Sequence, residues 1–160
     1  MASQASADST PMPQSLSTEG LVQELLRLRQ HASELCIAIL EVDYFERLNH
    51  QHGDLAGDYV LRELTRVVQS RTGRDQVFAR YGGQFVITLP YTSLDDAYSF
   101  AESLRSEVQA HSFTYQDERI QVTISVGCAQ WDDAEKSAEE FIQRADERHY
   151  QARNSNRVLR

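Results

Sequence analysis

Leu35-Cys36-Ile37-Ala38-Ile39-Leu40-Glu41-Val42-Asp43 is a nearly continuous apolar run that ends in two carboxylates. Its length and β-branched content predict a strand covered on both faces. A spacing of two places Glu41 and Asp43 on one side of that strand's end. Upstream, Leu21, Val22, Leu25, Leu26 and Leu28 recur at helical spacing and predict a helix over residues 19–31. Residues 1–18 are rich in Ser, Thr, Gln, Ala and Pro. They lack the apolar surface needed to offset ordering and are expected to form a disordered tail before a domain over 19–160.

Downstream, Val60, Leu61, Leu64, Val67 and Val68 predict a helix over 57–70. Residues 77–81 and 85–89 read as strands. Gly82-Gly83 between them tolerates positive φ and closes a tight hairpin. A long amphipathic helix follows over 94–110. Ile120, Val122, Ile124, Val126 and Cys128 then alternate with Gln121, Thr123, Ser125 and Gly127, the period of a strand. Ala138, Phe141, Ile142, Ala145 and His149 mark a last helix, and Val158 opens a short terminal strand. The order contains a βαββαβ core. It predicts an α/β (α+β) fold of the ferredoxin-like or palm type: a mainly antiparallel sheet flanked by helices, with the core's helices on one face. In that topology the first and fourth core strands are antiparallel neighbours. Cys36 and Cys128 then lie near one another, and both are expected to be buried thiols in a reducing compartment.

The chain has 160 residues, a 41% apolar fraction and a net charge of −8. These values fit one domain with a single packed core. The acidic balance argues against nucleic acid and anionic membrane surfaces as partners. No apolar run approaches the roughly 18 residues of a membrane span, and the N-terminus lacks the basic start and apolar stretch of a signal peptide. Cytoplasmic localisation is the expectation. His50 and His52 fall in an expected loop without metal-binding partners. Ser125 has no general base at a readable spacing.

Glu41 and Asp43 head a longer ordered pattern. It runs through Phe45, Asn49, Gly53, Gly57-Asp58 and Leu61, then Arg80-Tyr81-Gly82-Gly83-Gln84-Phe85. Val122 to Gly127 follow, then Ala145-Asp146, Tyr150, Ala152 and Arg153. This set resembles the GGDEF domain of bacterial diguanylate cyclases over roughly residues 27–158 of the chain. In that family two domains, each holding GTP and Mg²⁺, meet to make cyclic di-GMP. The resemblance implies a nucleotide site at Asn49, Asp58 and Arg153, a metal site at Glu41 and Asp43, and GTP and Mg²⁺ as ligands. An amide and a carboxylate are suited to reading the guanine edge. The alternative for this pair is local: Asn49 caps a turn, and Asp58 is favoured near a helix N-terminus.

The phosphate end departs from the family pattern. Glu41 replaces an aspartate, and Glu46 replaces a lysine. The signature Gly-Gly-acid-acid-Phe is here Gly82-Gly83-Gln84-Phe85, one residue shorter and without an acid. Gln84 is a neutral, weaker ligand for a hard cation. A residue gained between Asp75 and Arg80 is expected to restore strand register around a two-residue turn. The loop from Arg153 to Arg157 is about two residues shorter than the family's, and Arg153 keeps its positive charge. Thr72 occupies the arginine position of the family's R-x-x-D inhibition motif. Leu16-Ser17-Thr18-Glu19-Gly20-Leu21 only faintly echoes the family's N-terminal segment.

The expected function is a degenerate GGDEF module in cyclic di-GMP signalling. It is expected to have no cyclase activity, to bind another signalling protein and to retain weak guanine-nucleotide binding. The alternative is a slow, active diguanylate cyclase. A third reading is a cyclic di-GMP receptor that uses a different surface.

Overall fold

The computed structural model describes residues 12–135 and 137–160. The elements in chain order are β1 (Ser15–Leu16), α1 (Thr18–Arg29), β2 (Leu35–Val42), α2 (Phe45–His52), α3 (Asp54–Gln69), β3 (Phe78–Tyr81) and β4 (Gln84–Pro90). There follow α4 (Leu94–Ala110), β5 (Phe113–Tyr115), β6 (Glu118–Ile120), β7 (Ile124–Gln130), α5 (Ala138–Ala152) and β8 (Val158–Leu159). Six strands form one sheet in the order β1-β3-β4-β2-β7-β8, and β5 and β6 form a separate hairpin. β2 lies at the centre, antiparallel to both β4 and β7. The two short outer pairings, β1 with β3 and β7 with β8, are parallel.

The alternation along β2 builds both layers of the core. Cys36, Ala38, Leu40 and Val42 join the cluster that α3 and α4 close with Val60, Leu64, Leu104 and Val108. Leu35, Ile37 and Ile39 join the opposite cluster, closed by Leu21 and Leu25 of α1 and Phe141 and Ala145 of α5. The palm core's own helices therefore share one face, as expected, while α1 and α5 cover the other. Helices on one face alone would have left the Leu35, Ile37 and Ile39 side chains in water, at about 1.5–3 kcal/mol each. Each central strand is buried on both sides.

Three other expectations change. The tail expected through residue 18 is ordered at its end: Ser15 and Leu16 pair with Arg80 and Tyr81. Ser17 caps α1 by accepting from the Gly20 amide at 3.0 Å. Residues 1–11, the rest of that tail, lie outside the described residues. His50 and His52 belong to α2 rather than a loop. The strand read across 120–128 is two strands, because residues 121–123 leave the ladder between β6 and β7.

Cys36 and Cys128 sit on the neighbouring strands β2 and β7, offset by two positions in register, with Cys128 opposite Ala38. Both are buried free thiols. Burial pushes each pKa up to about 12. Gly127 sets the depth of α5: a Cβ there would lie 2.1 Å from the His149 nitrogen and 2.6 Å from the Ala145 carbonyl oxygen. Only glycine permits this approach of strand and helix.

Candidate functional site

Two clefts meet at the end of β2. The narrower, of about 250 Å³, is walled by Phe45, Leu61 and Phe85, with Glu41, Val42, Glu46, Arg80 and Gly83. The wider, of about 380 Å³, shares Glu41, Val42, Phe45 and Glu46 and adds Tyr44, Arg47, Arg153 and Asn154. Among the residues expected from sequence, Glu41 and Arg153 are thus brought to one cleft. The electrostatics agree: burial raises the Glu41 pKa, Arg153 opposes that rise, and Asp43 and Asp146 add to it.

Asn49 and Asp58 lie on α2 and α3, joined through Gly57. Asn49 packs its amide oxygen against Gly57 so closely that a Cβ there would lie 1.7 Å from Oδ1 and 3.2 Å from Phe45 Cζ. That oxygen is buried and has no hydrogen-bond partner. Asp58, the next residue along α3, is exposed. Phe45 stands beside this packing, but neither Asn49 nor Asp58 lines either cleft; the orphaned acceptor is a buried oxygen that an N–H donor would satisfy.

Asp43 has a different role. It is 9% exposed and lines neither cleft, bordering instead a separate one with Leu48, Gln121 and Thr123. Its Oδ2 accepts from Thr123 Oγ1 at 2.7 Å and from the Asn156 amide at 3.0 Å; its Oδ1 accepts from Ser125 Oγ at 2.6 Å. The Ser125 hydroxyl is fully used, because it also accepts from the Ser155 amide at 3.1 Å and the Asn156 amide at 2.9 Å. Asp43 therefore binds β2 to β7 and to the loop after α5. Asn154 and Asn156 in that loop adopt the left-handed backbone, which asparagine tolerates well.

The signature hairpin turns on Gly82 and Gly83 alone, with Tyr81 paired to Gln84 and φ of +60° at Gly82. Gln84 lies outside the walls of both clefts. Its amide nitrogen donates to Asp146 Oδ1 at 3.2 Å and to His149 Nδ1 at 3.1 Å, so the neutral histidine carries its proton on Nε2. His149 is 1% exposed, and Nε2 has no partner. Burial lowers its pKa. Sequence reasoning missed this contact. The available signal was a histidine in the apolar repeat Ala138, Phe141, Ile142, Ala145. It also missed Arg47, Thr123 and Ser125 as parts of the site. Arg71 is engaged internally, donating to Glu107 at 2.5 Å and to Ser103 Oγ at 2.7 Å.

A family model described as "Diguanylate cyclase, GGDEF domain" matches residues 14–158. The chain belongs to the GGDEF family. Relatives of this GGDEF domain include Diguanylate cyclase A of Treponema denticola, 35% identical over 77% of this chain and 33% of that protein. Diguanylate cyclase DgcP of Pseudomonas aeruginosa is 34% identical over 88% of this chain and 21% of its own length. The chain thus spans a third or less of those relatives. Among solved structures it is similar to the GGDEF domain of DgcB from Caulobacter crescentus in complex with c-di-GMP. The TM-score is 0.81 and the identity 26%, over 94% of each chain. It is also similar to diguanylate cyclase SiaD in complex with its activator SiaC from P. aeruginosa. The TM-score is 0.77 and the identity 26%, over 99% of this chain and 65% of that one.

The donor set of this GGDEF domain does not fit a resident divalent cation. A hard cation needs several oxygen ligands converging on one point. Asp43 spends both oxygens on internal donors, Gln84 is neutral and tied to α5, and Glu41 alone of the three lines the clefts. Among the described residues no group of three His, Cys, Asp or Glu side chains is arranged to hold a metal ion. No helix among them is long and apolar enough to cross a membrane.

Proposed function

We propose that this GGDEF domain works in cyclic di-GMP signalling as a regulatory module that binds guanine nucleotide without condensing it, and that its output is contact with another signalling protein. The observation that carries this reading is the Gln84 amide, hydrogen-bonded to Asp146 and His149 instead of presented to the cleft. The signature residue is thereby committed to the fold. The nucleotide half of the proposal is supported by the buried, unpartnered Asn49 oxygen, packed against Gly57 next to Phe45, which walls the narrower cleft. The guanine N–H edge would supply the missing donor, with the carboxylate of Asp58 beside it. Arg153 is the cation available to the phosphates. A cytoplasmic setting, where GTP is present, follows from this reading. SiaD, which binds an activator protein, is the precedent for the partner.

The test is calorimetric titration of the purified chain with GTP, with and without Mg²⁺, followed by chromatography of the same samples. Binding that survives removal of Mg²⁺, with no cyclic di-GMP formed, is the expected outcome. Steady formation of cyclic di-GMP would instead establish the chain as a slow cyclase.

A further inference from the structure

We propose that Glu46 makes this site selective for guanosine or its monophosphate over GTP. This rests on the guanine-nucleotide reading above and names the ligand class of that same site. Glu46 stands in the first turn of α2, where the positive end of a helix favours an acid. Asn49 follows it by three residues on the same helix. Side chains at that spacing are neighbours, with Cβ atoms about 5–6 Å apart. A guanine held by Asn49 therefore lies about one helical turn from the Glu46 carboxylate. Asn49 itself lines neither cleft, whereas Glu41, Val42, Phe45 and Glu46 line both. Whichever cleft the sugar and phosphates enter, they meet the same two carboxylates.

The charges along these clefts nearly cancel. The narrower holds Glu41 and Glu46 against Arg80, and the wider holds the same two glutamates against Arg47 and Arg153. Arg80 lies over the Phe85 ring, 5.7 Å from its centre, on the apolar wall of the narrower cleft. Arg153 acts on Glu41, opposing the rise that burial imposes on that carboxyl. Near pH 7 a terminal phosphate carries about −1.5 to −2, and each inner phosphate adds about one more negative charge. The wider cleft, neutral overall, tolerates one phosphate. Three bring a charge that this lining does not balance, beside a Glu46 carboxylate that repels it. The apolar wall of Phe45, Leu61 and Phe85 serves a nucleoside as well as a nucleotide. Affinity at this site comes from the base and the sugar, and a polyphosphate reduces it.

The test is NMR chemical-shift titration of the full chain with guanosine, GMP and GTP, without divalent metal so that each ligand keeps its own charge. The method reads weak and strong binding alike. In wild type GTP is expected to bind most weakly of the three. Its affinity should rise between about 0.05 M and 0.5 M salt, because salt screens the repulsion. Glu46→Gln should tighten GTP about threefold and Glu46→Lys about tenfold, both leaving guanosine unchanged. Glu34→Lys makes the same change of charge just before β2, at the opposite end of that strand from Glu41 and roughly 20 Å away, and should match wild type. If GTP is not the weakest ligand, if its affinity falls with salt, or if Glu46→Lys leaves it unchanged, the selectivity is overturned and the guanine reading stands. If wild type binds none of the three, the guanine reading fails and the selectivity fails with it.

Discussion

Gln84 and His149 are hydrogen-bonded at 3.1 Å across 65 residues of sequence, joining the signature hairpin to the buried face of α5. The bond requires a neutral imidazole with Nδ1 as acceptor, and burial enforces that state by lowering the histidine pKa. Burial also strands Nε2 without a partner. The pairing therefore holds the hairpin while lowering the domain's tolerance of acid.

The sign of that acid effect follows from linkage. The unfolded chain takes a proton on this histidine near its ordinary pKa of 6.5, whereas the folded chain resists it. Stability from this group is full above pH 6.5 and falls as pH drops toward the lowered folded value. His149→Leu removes the titration. Its unfolding free energy should stay within about 1.5 kcal/mol of wild type at pH 8. Between pH 8 and pH 5.5 the variant should lose less stability than wild type. Urea unfolding at both pH values reads this directly, and equal pH dependence in the two proteins would refute it.

A second acid-sensitive contact lies at Glu63, 4% exposed on α3. Burial would raise its pKa, but hydrogen bonds from Arg66 and from His111, the latter at 2.7 Å, outweigh burial and the net shift is downward. A lowered carboxylate pKa gives stability that is full above the unfolded value of about 4.5 and lost as pH falls below it. Glu63→Gln should therefore cost stability at pH 7, by about 1–3 kcal/mol. The gap from wild type should narrow below pH 4. Thermal melts across that range are the measurement.

Gly57→Ala tests the proposed guanine contact of Asn49. The new Cβ would stand 1.7 Å from Asn49 Oδ1 and 2.8 Å from Cγ, so the amide must move. Overpacking of this kind costs about 1–3 kcal/mol, partly offset by alanine's better helix propensity. The larger expected effect is on GTP affinity, which should fall at least tenfold in calorimetry while the domain remains folded. Unchanged affinity would remove Asn49 from the nucleotide site.

Asp43 and Glu41 stand two residues apart, and the structure separates them by role. Asp43→Ala strips the acceptor from Thr123, Ser125 and the Asn156 amide. It should cost about 1.5–3 kcal/mol and speed amide exchange over residues 154–158. Glu41→Ala leaves no internal donor unpaired and should change stability by less than about 0.5 kcal/mol. Hydrogen exchange on both variants separates an anchoring carboxylate from a cleft-lining one.

The difference between these two acids marks the limit of what the sequence made legible. β2 was readable because a run buried on both faces is apolar at nearly every position. The helices α4 and α5 were readable because their inward residues recur at 3.6. By contrast α2 carries only Phe45 and Leu48 inward, too few to show a period, so its histidines read as loop. The spacing of Glu41 and Asp43 suggested two carboxylates side by side, but β2 ends at Val42 and only Glu41 lines the clefts. It held no information about Thr123, Ser125 and the Asn156 amide, which reach Asp43 only after the chain has folded across 80 residues or more. The same limit hid His149, since a buried histidine on a helix reads as packing until its partner is known.

Variants of the hairpin distinguish the proposed non-condensing module from a slow cyclase. Gln84→Glu restores a carboxylate, but at a position beside Asp146 and His149 rather than in the cleft. The variant should form no more cyclic di-GMP than wild type. Repulsion from Asp146 and attraction to a protonated imidazole should raise the His149 pKa, visible in its ring proton shifts. Inserting a glutamate after Gly83 lengthens the turn without disturbing the Gln84 contact, and combining it with Glu46→Lys returns a cation to the cleft. If any engineered form regains turnover, it should be this combination, because it alone supplies both missing charges. Chromatographic assay with GTP and Mg²⁺ reads all three proteins. Strong turnover by Gln84→Glu alone would show that the side chain swings freely into the cleft and that the bond to His149 does not hold the hairpin.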